Sequence, residues 1–198
     1  MRITGVVCSP RAGGNTEIMV RQALAGAADA GAEVEIIFIR DKHILPCDGC
    51  LGCKNGICHL QDDMQEIGEK LVASDGILIG VPTYWTVAGM GANFLDRVLP
   101  YGYDGRLANK VAAGIAVASR SAVDTVAGVL RRFFIWGHMH CVECICHYGT
   151  KPGDIVQDKY AMNQAWDIGR LMVLYAENGN NYPGDFILPI SEYTKRRM

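Results

Sequence analysis

The feature that most restricts how this chain folds is a fivefold alternation of short apolar runs with stretches of helical periodicity. The first and third of these runs, residues 2–8 and 76–81, are apolar and end in proline-containing turns, as buried parallel strands do. The five runs cover residues 2–8, 33–39, 76–81, 110–118 and 140–147. Five strand-then-helix units in this order predict a three-layer α/β fold, with one doubly wound, five-stranded parallel sheet between two helical layers.

Bulk composition limits the number of domains and the kinds of partner. A chain of 198 residues that is 49% hydrophobic can bury one full core. We therefore expect one domain over residues 1–178 and a C-terminal tail, residues 179–198, that packs on this domain or on a neighbouring subunit. The net charge of −2 argues against a nucleic-acid partner, and the apolar runs are too short for a membrane span or a secretory signal. We expect a cytoplasmic protein with reduced thiols.

Four cysteines lie in one glycine-rich loop, residues 46–59, after the second predicted strand. Cys47, Cys50 and Cys53 are separated by two residues each, and Cys58 follows after four more. This spacing lets a single loop place four thiolates around a compact inorganic cluster, and we interpret it as a [4Fe-4S] site.

Two other interpretations of this loop stay open: a zinc site and thiols without a ligand. Closed zinc sites usually combine two cysteine pairs that lie a dozen or more residues apart, and no such second pair fits here. The spacing of His59 does not match a zinc knuckle either, so we expect an ordinary loop histidine. A disulfide is less favoured, because a chain of this length builds its own core and carries no mark of secretion.

A polar loop joins the first predicted strand to the first predicted helix. It carries hydroxyl groups, an arginine and two adjacent glycines among Ser9, Arg11, Gly13, Gly14, Asn15 and Thr16. Backbone N–H groups, a guanidinium and the positive end of a helix dipole together favour a bound phosphate monoester. The simpler alternative is a βα turn in which Asn15 or Thr16 only caps the helix.

Two further turns are expected at the same edge of the sheet. The third predicted strand ends in Pro82, Thr83, Tyr84 and Trp85, and the fourth is followed by Ser119 and Arg120. The carboxyl ends of parallel strands share one edge, so we expect both turns to meet the phosphate loop. The two aromatic side chains would then wall an aromatic ring system, although aromatics plug sheet ends or interfaces about as often.

Local spacing gives two expectations about charged residues. Asp63 and Glu66 have the spacing of a capping box at the start of the second helix. Asp96 and Arg97 are expected to form a solvated or locally paired couple on the third helix.

Three more cysteines lie in the fifth predicted strand. Strict alternation along a strand would place Cys144 and Cys146 on one face and Cys141 on the other. Because this geometry cannot bring three thiolates to one metal, we expect these cysteines to fill the core.

Several of these motifs together resemble a known family. Ser-Pro-Arg-x-Gly-Gly-Asn-Thr at 9–16, Pro-Thr-Tyr-Trp at 82–85 and Phe-Leu-Asp-Arg at 94–97 are similar to the NAD(P)H-dependent FMN reductase branch of the flavodoxin-like superfamily. With the cysteine motif added, the chain resembles the iron-sulfur flavoproteins over most of residues 1–178. The resemblance implies a flavodoxin-like sheet of strand order 2-1-3-4-5 and a flavin-dependent oxidoreductase.

The resemblance also implies cofactors and partners. FMN would bind with its phosphate on the polar loop and its ring against residues 82–85, and a [4Fe-4S] cluster would bind the four loop cysteines. Electrons would pass between a ferredoxin-like donor, the cluster, FMN and a small acceptor, in a homodimer or homotetramer whose FMN lies near a subunit boundary. The protein would position the two centres and supply no general acid or base.

Two alternatives stay open: an NAD(P)H-dependent FMN or quinone reductase without a functional cluster, and a non-enzymatic metal-binding module. The chain departs from the family pattern at Asn93, where a lysine is common, and in residues 118–123, which lack the usual glycines. The resemblance therefore does not identify what reduces the flavin.

Overall fold

The structure, a computed structural model, describes residues 1–179, and within them it contains a five-stranded parallel sheet. Neighbouring strands are all parallel, and their order is β2-β1-β3-β4-β5. The strands are β1 (Arg2–Val7), β2 (Glu33–Phe38), β3 (Gly76–Pro82), β4 (Val111–Ala118) and β5 (His140–Tyr148). The predicted sheet, its strand order and the position of the cysteine-rich loop after β2 are confirmed. The predicted tail lies almost entirely outside the described residues.

In the described part of the chain, five α-helices cover the two faces of this sheet. Helices α1 and α5 pack on one face, and α2, α3 and α4 pack on the other. The helices are α1 (Asn15–Asp29), α2 (Met64–Val72), α3 (Gly89–Tyr103), α4 (Val123–Trp136) and α5 (Lys159–Glu177). None of the helices formed by residues 1–179 combines the length and the apolarity that crossing a bilayer requires.

The core explains why the central strands carry almost no polar residue. Every residue of β4 is buried, because helices cover both sides of it, and its sequence is accordingly a run of valine, alanine and isoleucine around one glycine. Helices α1 and α5 make an unusually close contact: a Cβ atom at Gly26 would collide with the backbone of Trp166, and one at Gly169 with the carbonyl of Ala23. This contact fixes the axis of α1 and therefore where its N-terminus points.

The start of α2 differs from the predicted capping box by one residue. The Asp63 side chain does not cap the helix; its carboxylate accepts the N–H of His43 instead. Asp62 takes the capping role, because its Oδ1 accepts the Met64 N–H at 3.0 Å and its own N–H donates to Gln65 Oε1 at 3.0 Å. The motif is a capping box built on Asp62 and Gln65.

Strand β5 contains an irregularity that the sequence pattern did not reveal. Ala112 of β4 pairs with Cys141, but the next residue, Ala113, pairs with Glu143, so one extra residue is inserted in β5. A bulge of this kind resets the alternation of side chains. As a result Cys141, Cys144 and Cys146 all pack on the face covered by α4, and the predicted separation of Cys141 from the other two was wrong.

Candidate functional site

A cleft of about 250 Å³ opens at the carboxyl edge of the sheet, where the loops after β1, β3, β4 and β5 meet. Most of the residues predicted to bind a cofactor line it. They are Ser9, Arg11, Gly14, Asn15, Thr16, Pro82, Thr83, Tyr84 and Ser119. The predicted convergence of the three loops at one edge of the sheet is therefore observed.

One end of the cleft is formed by the N-terminus of α1. Gly14 is the N-cap residue and has extended backbone angles, and no side chain caps the helix. Among the described residues, no acceptor lies on the backbone N–H groups of Asn15 and Thr16, and Arg11 is the one charged residue that lines the cleft. Unoccupied N–H groups, the positive end of a helix dipole and a guanidinium are what an anion requires.

Two residues predicted to bind the cofactor, Asn15 and Gly13, make hydrogen bonds within the protein. The Asn15 side chain donates to the Lys151 carbonyl at 2.9 Å and accepts the Gly153 N–H at 2.8 Å, so it ties α1 to the loop after β5. Gly149 leaves room for this amide, because a Cβ atom there would collide with it. The Gly13 N–H donates to Glu17 Oε2 at 2.9 Å and is not available to a ligand.

Glu17 anchors the polar loop through the Gly13 N–H, and its negative charge does not neutralise the positive end of the helix dipole. Its buried carboxylate also accepts Arg21 Nε at 2.9 Å and Arg40 Nη1 at 2.8 Å. Burial raises the pKa of Glu17, but the hydrogen bonds from Gly13 and the two arginines outweigh burial and hold the pKa below its usual range. Two cations compensate this carboxylate, so it contributes no net repulsion to an anion in the cleft.

The turn after β3 presents one of its two aromatic residues to the cleft. Thr83 and Val87 form an antiparallel bridge, and the Tyr84 N–H donates to the Thr86 carbonyl, which closes a tight turn. Tyr84 lines the cleft, whereas Trp85 is 96% exposed and does not. The Thr83 hydroxyl is buried at the cleft wall with no hydrogen-bond partner among the described residues, which leaves a polar group for a ligand to satisfy.

The other loops complete the cleft. Ser119 lines it, but Arg120 is exposed and does not. Sequence reasoning missed the loop after β5, which contributes Gly149, Thr150 and Pro152. The signal was available, because a loop that follows a predicted parallel strand reaches the same edge as the others.

The cysteine loop is shaped by three left-handed residues around a single short turn. Gly49 and Gly56 have φ values of 71° and 77°, and Leu51 has a φ of 61°. Glycine adopts such angles without steric cost, so Gly49 and Gly56 permit tight turns here. Leu51 and Gly56 flank the short turn Gly52–Asn55. Cys47 and Cys50 are exposed and Cys53 and Cys58 half-buried, so the thiols are accessible for loading.

The thiols of the cysteine loop influence one another electrostatically. Burial raises the pKa of Cys53, and the charges of Cys47, Cys50 and Cys58 raise it further, so all four thiols are within electrostatic range. Within the described residues, the one trio of metal-ligating side chains whose ligand atoms lie within 4.8 Å of one another is Asp48, Cys50 and His59.

Asp48 and His59 close the loop across its open side. His59 Nε2 lies 2.7 Å from Asp48 Oδ2, and the Cys50 N–H donates to Asp48 Oδ1 at 3.1 Å. The Cys50 N–H and His59 hold the pKa of Asp48 below its usual range. His59 is thus paired with a carboxylate of the loop.

A buried ion pair clamps the base of the cysteine loop. Arg97 Nη1 and Nη2 lie 2.6 and 3.0 Å from the two carboxylate oxygens of Asp62, and both side chains are almost fully buried. Arg97 Nη1 also donates to the Leu45 carbonyl at 2.6 Å, and the Leu45 N–H donates to Asp62 Oδ2 at 2.8 Å. The expectation that Arg97 is solvated or paired locally was wrong. From α3, Arg97 joins the two chain segments at the base of the cysteine loop, one at Leu45 and one at Asp62.

Asn93, one turn earlier on α3, reinforces this clamp. Its Oδ1 accepts the Cys47 N–H at 3.3 Å, and its Nδ2 donates to the carbonyls of Ile44 and Leu45. The residue that departs from the family pattern therefore contacts the backbone of Cys47, the first cysteine of the loop. The cysteine loop lies against α2 and α3, and none of its residues lines the cleft.

Comparison with known proteins agrees with this geometry. The family model of the NADPH-dependent FMN reductases matches residues 1–149. The chain belongs to this family, and it is a flavin-dependent oxidoreductase.

Two curated relatives are similar along most of the chain. An iron-sulfur flavoprotein of Methanocaldococcus jannaschii is 36% identical over 184 residues, which cover 86% of this chain and 94% of that protein. An iron-sulfur flavoprotein of Archaeoglobus fulgidus is 34% identical over 159 residues, covering 78% of this chain and 72% of that protein. The chain is similar to both along most of its length.

Solved structures confirm the fold alone, because their sequence identities are low. A flavone reductase superposes with a TM-score of 0.73 at 21% identity, covering 92% of this chain and 66% of that one. A flavodoxin from the domain Archaea superposes with a TM-score of 0.61 at 15% identity, covering 89% and 99%.

Proposed function

We propose that this chain binds FMN in the cleft and a [4Fe-4S] cluster on its cysteine loop, and that it transfers electrons between them. The observation that carries the flavin half is the uncapped N-terminus of α1, which faces the cleft beside its one lining cation, Arg11. A dianionic phosphate monoester matches this end, and Ser9 and Thr16 offer hydroxyl groups beside it.

The rest of the cleft suits a flavin ring. Its wall runs from Pro82 to Tyr84 on one side and along Ser119, Gly149 and Thr150 on the other. The ring would rest against Tyr84, and the unpartnered Thr83 hydroxyl would meet one of its polar edge atoms. Bound FMN supplies the capacity to accept or donate one or two electrons. The residues of this chain bind it, orient it and exclude water from one side.

The cluster half rests on the loop architecture. Cys47, Cys50, Cys53 and Cys58 would hold the [4Fe-4S] cluster, which supplies one-electron transfer. The left-handed residues allow the loop its tight turns, and the buried pair of Asp62 and Arg97 fixes the backbone at Leu45, before the first cysteine. No acid or base is needed for this task, and we assign none.

We extend the proposal to partners. A ferredoxin-like protein would deliver electrons singly to the exposed cysteine loop, and a small acceptor would take them from the flavin. The loop does not line the cleft of its own subunit, so a homodimer or homotetramer, in which a neighbour brings the two centres together, suits the arrangement. A cytoplasmic location suits eight cysteines that form no disulfide in the structure.

A rapid-mixing experiment tests the direction of electron flow. The protein, purified without oxygen, is mixed with reduced methyl viologen or with NADPH, and flavin bleaching is followed. The proposal predicts fast bleaching with the one-electron donor in the wild type, and loss of that fast phase in Cys53→Ser. Equal bleaching of both proteins would overturn it.

One alternative has an observation of its own. The matching family model is named for NADPH-dependent FMN reductases, and a Bacillus subtilis relative, 25% identical over 176 residues, is a putative NAD(P)H-dependent FMN-containing oxidoreductase. The similarity to that relative covers 83% of this chain and 94% of that protein. Fast bleaching by NADPH, unchanged in Cys53→Ser, would favour that reductase function. Membership of an oxidoreductase family argues against the non-enzymatic module.

A further inference from the structure

A second group of cysteines lies on β5, apart from the cysteine loop, and the proposed function does not use it. The Sγ atoms of Cys141 and Cys144 are 3.7 Å apart, a direct sulfur contact between two residues that regular alternation would separate. The bulge between the pairing partners of Ala112 and Ala113 creates this contact, because it turns both side chains toward α4. Bulges re-aim side chains in this way and are often functional.

The absence of a side chain at Gly114 leaves room for the Cys144 sulfur. Gly114 of β4 lies beside Cys144, and a Cβ atom there would come within 2.8 Å of its Sγ. Cys144 is only 9% exposed, whereas Cys141 is half-exposed at the edge of the sheet. The pair therefore has one accessible member and one sheltered member.

The two thiols also differ in acidity. A hydrogen bond from Cys144 lowers the pKa of Cys141; burial opposes this effect, the nearby Arg131 guanidinium supports it, and Glu143 opposes it weakly. The same contact and burial raise the pKa of Cys144. A thiolate is the reactive form of cysteine, and reactive cysteines lie in electropositive, partly exposed surroundings. Cys141 fits this description and Cys144 does not.

We propose that Cys141 and Cys144 form a reversible dithiol–disulfide site that is oxidised by hydroperoxides, with Cys141 as the attacking thiol and Cys144 as the resolving thiol. With hydrogen peroxide, the Cys141 thiolate attacks one oxygen, the O–O bond breaks, and a Cys141 sulfenic acid and hydroxide form; the hydroxide takes a proton from solvent and leaves as water. The Cys144 sulfur then attacks the sulfenic sulfur, and the S–O bond breaks. The hydroxyl leaves as water with the Cys144 proton. Two thiols lose two electrons, and the peroxide is reduced to water.

Closing the bond requires a short movement of the sulfurs. They must approach from 3.7 Å to about 2.05 Å. Cys146 is placed differently, since its Sγ contacts the Val123 carbonyl at 3.6 Å, at the start of α4. It therefore serves as a matched control on the same strand.

Peptide mapping tests this site without interference from the cysteine loop. Trypsin cuts after Arg132 and Lys159, and the peptide between them contains only Cys141, Cys144 and Cys146. The protein is treated with hydrogen peroxide, remaining thiols are blocked with iodoacetamide, and the peptide is weighed and fragmented. The proposal predicts a peptide lighter by two hydrogen atoms and carrying one blocked thiol, at Cys146. Dithiothreitol should restore three blocked thiols.

Three variants decide the assignment. Cys146→Ser should form the bond as the wild type does, and Cys144→Ser should instead accumulate a Cys141 sulfenic acid that a dimedone reagent captures. Cys141→Ser should lose both the bond and the dimedone adduct. A crosslink to Cys146, or a wild-type peptide that remains fully reduced while the loop cysteines oxidise, would overturn the proposal. Neither result depends on whether FMN or a cluster is bound.

Discussion

Replacing Asp62 with alanine should destabilise the protein and loosen the cysteine loop. Asp62 and Arg97 are 0% and 1% exposed, and two short contacts join them. Removing one member of a buried ion pair leaves the other charge uncompensated, which typically costs about 3–5 kcal/mol. Asp62 also accepts the N–H groups of Leu45 and Met64, so its loss frees the loop's neck and the start of α2 together.

The assay is thermal unfolding of the protein as purified, without oxygen. For a chain of this size, 1 kcal/mol corresponds to about 2–4 °C in Tm, so Asp62→Ala should lower the Tm by roughly 6–20 °C. Iron release to a chelator at a temperature below both transitions should be faster in the variant. Asp96→Ala, an exposed carboxylate on the residue before Arg97, is the matched control and should change neither quantity.

The pH dependence follows from the same contact. Burial raises the pKa of Asp62, but hydrogen bonds from Arg97, Leu45 and Met64 outweigh burial and hold the pKa below its usual range. A depressed carboxyl pKa stabilises the fold above the unfolded-state value, about 3.9, and this stabilisation is lost as the pH falls through the lower folded-state value. The gap in Tm between wild type and Asp62→Ala should therefore be constant near neutrality and narrow in acid. Equal Tm values for Asp62→Ala and Asp96→Ala at neutral pH would refute the reasoning.

Three further outcomes test other parts of the site. Arg11→Gln should weaken FMN binding by about 1.5–3 kcal/mol, because a charged hydrogen-bond donor to the phosphate is lost, whereas Arg120→Gln should leave the affinity unchanged. Fluorescence titration of the apoprotein with FMN measures both affinities. Equal losses in the two variants would contradict the assignment. Gly149→Ala should displace the Asn15 amide and weaken FMN binding. The control Gly128→Ala, at an exposed position of α4 with open space around it, should not weaken binding. A Gly149→Ala protein of wild-type affinity would rule out this role of Asn15. Cys58→Ser should lose cluster iron but keep one FMN per chain, whereas Cys8→Ser, at a buried core cysteine, should keep both iron and FMN. Metal and flavin analysis of the two proteins measures this. Full iron content in Cys58→Ser would remove Cys58 from the ligand set.

The sequence predicted the fold well because strand and loop positions in a parallel sheet determine one another. Apolar runs identify the central strands β1, β3 and β4, and the alternation with helices identifies β2 and β5 at the sheet edges. The carboxyl ends of parallel strands meet at one edge by geometry alone. This is why Ser9, Tyr84 and Ser119, far apart in the chain, were expected in one cleft and line it.

What the sequence did not predict depends on tertiary contacts. Whether an aromatic residue in a turn faces a cleft or solvent depends on the geometry of the turn, which the sequence does not reveal. Trp85 was expected beside the flavin ring, but its side chain is exposed to solvent and does not line the cleft. Asp62 and Arg97 are 35 residues apart, and the spacing of neither shows that they meet. The bulge that brings Cys141 to Cys144 inserts a single residue, which periodicity along β5 does not reveal.

The most direct test of the proposed function is the cofactor content of the intact protein. Protein purified and, where needed, reconstituted without oxygen is analysed for iron, acid-labile sulfide and FMN. The account predicts about four iron atoms, about four sulfides and one FMN per chain, and loss of the iron and sulfide alone in Cys53→Ser. Less than about one iron per chain after reconstitution, in protein that still binds FMN, would contradict the cluster.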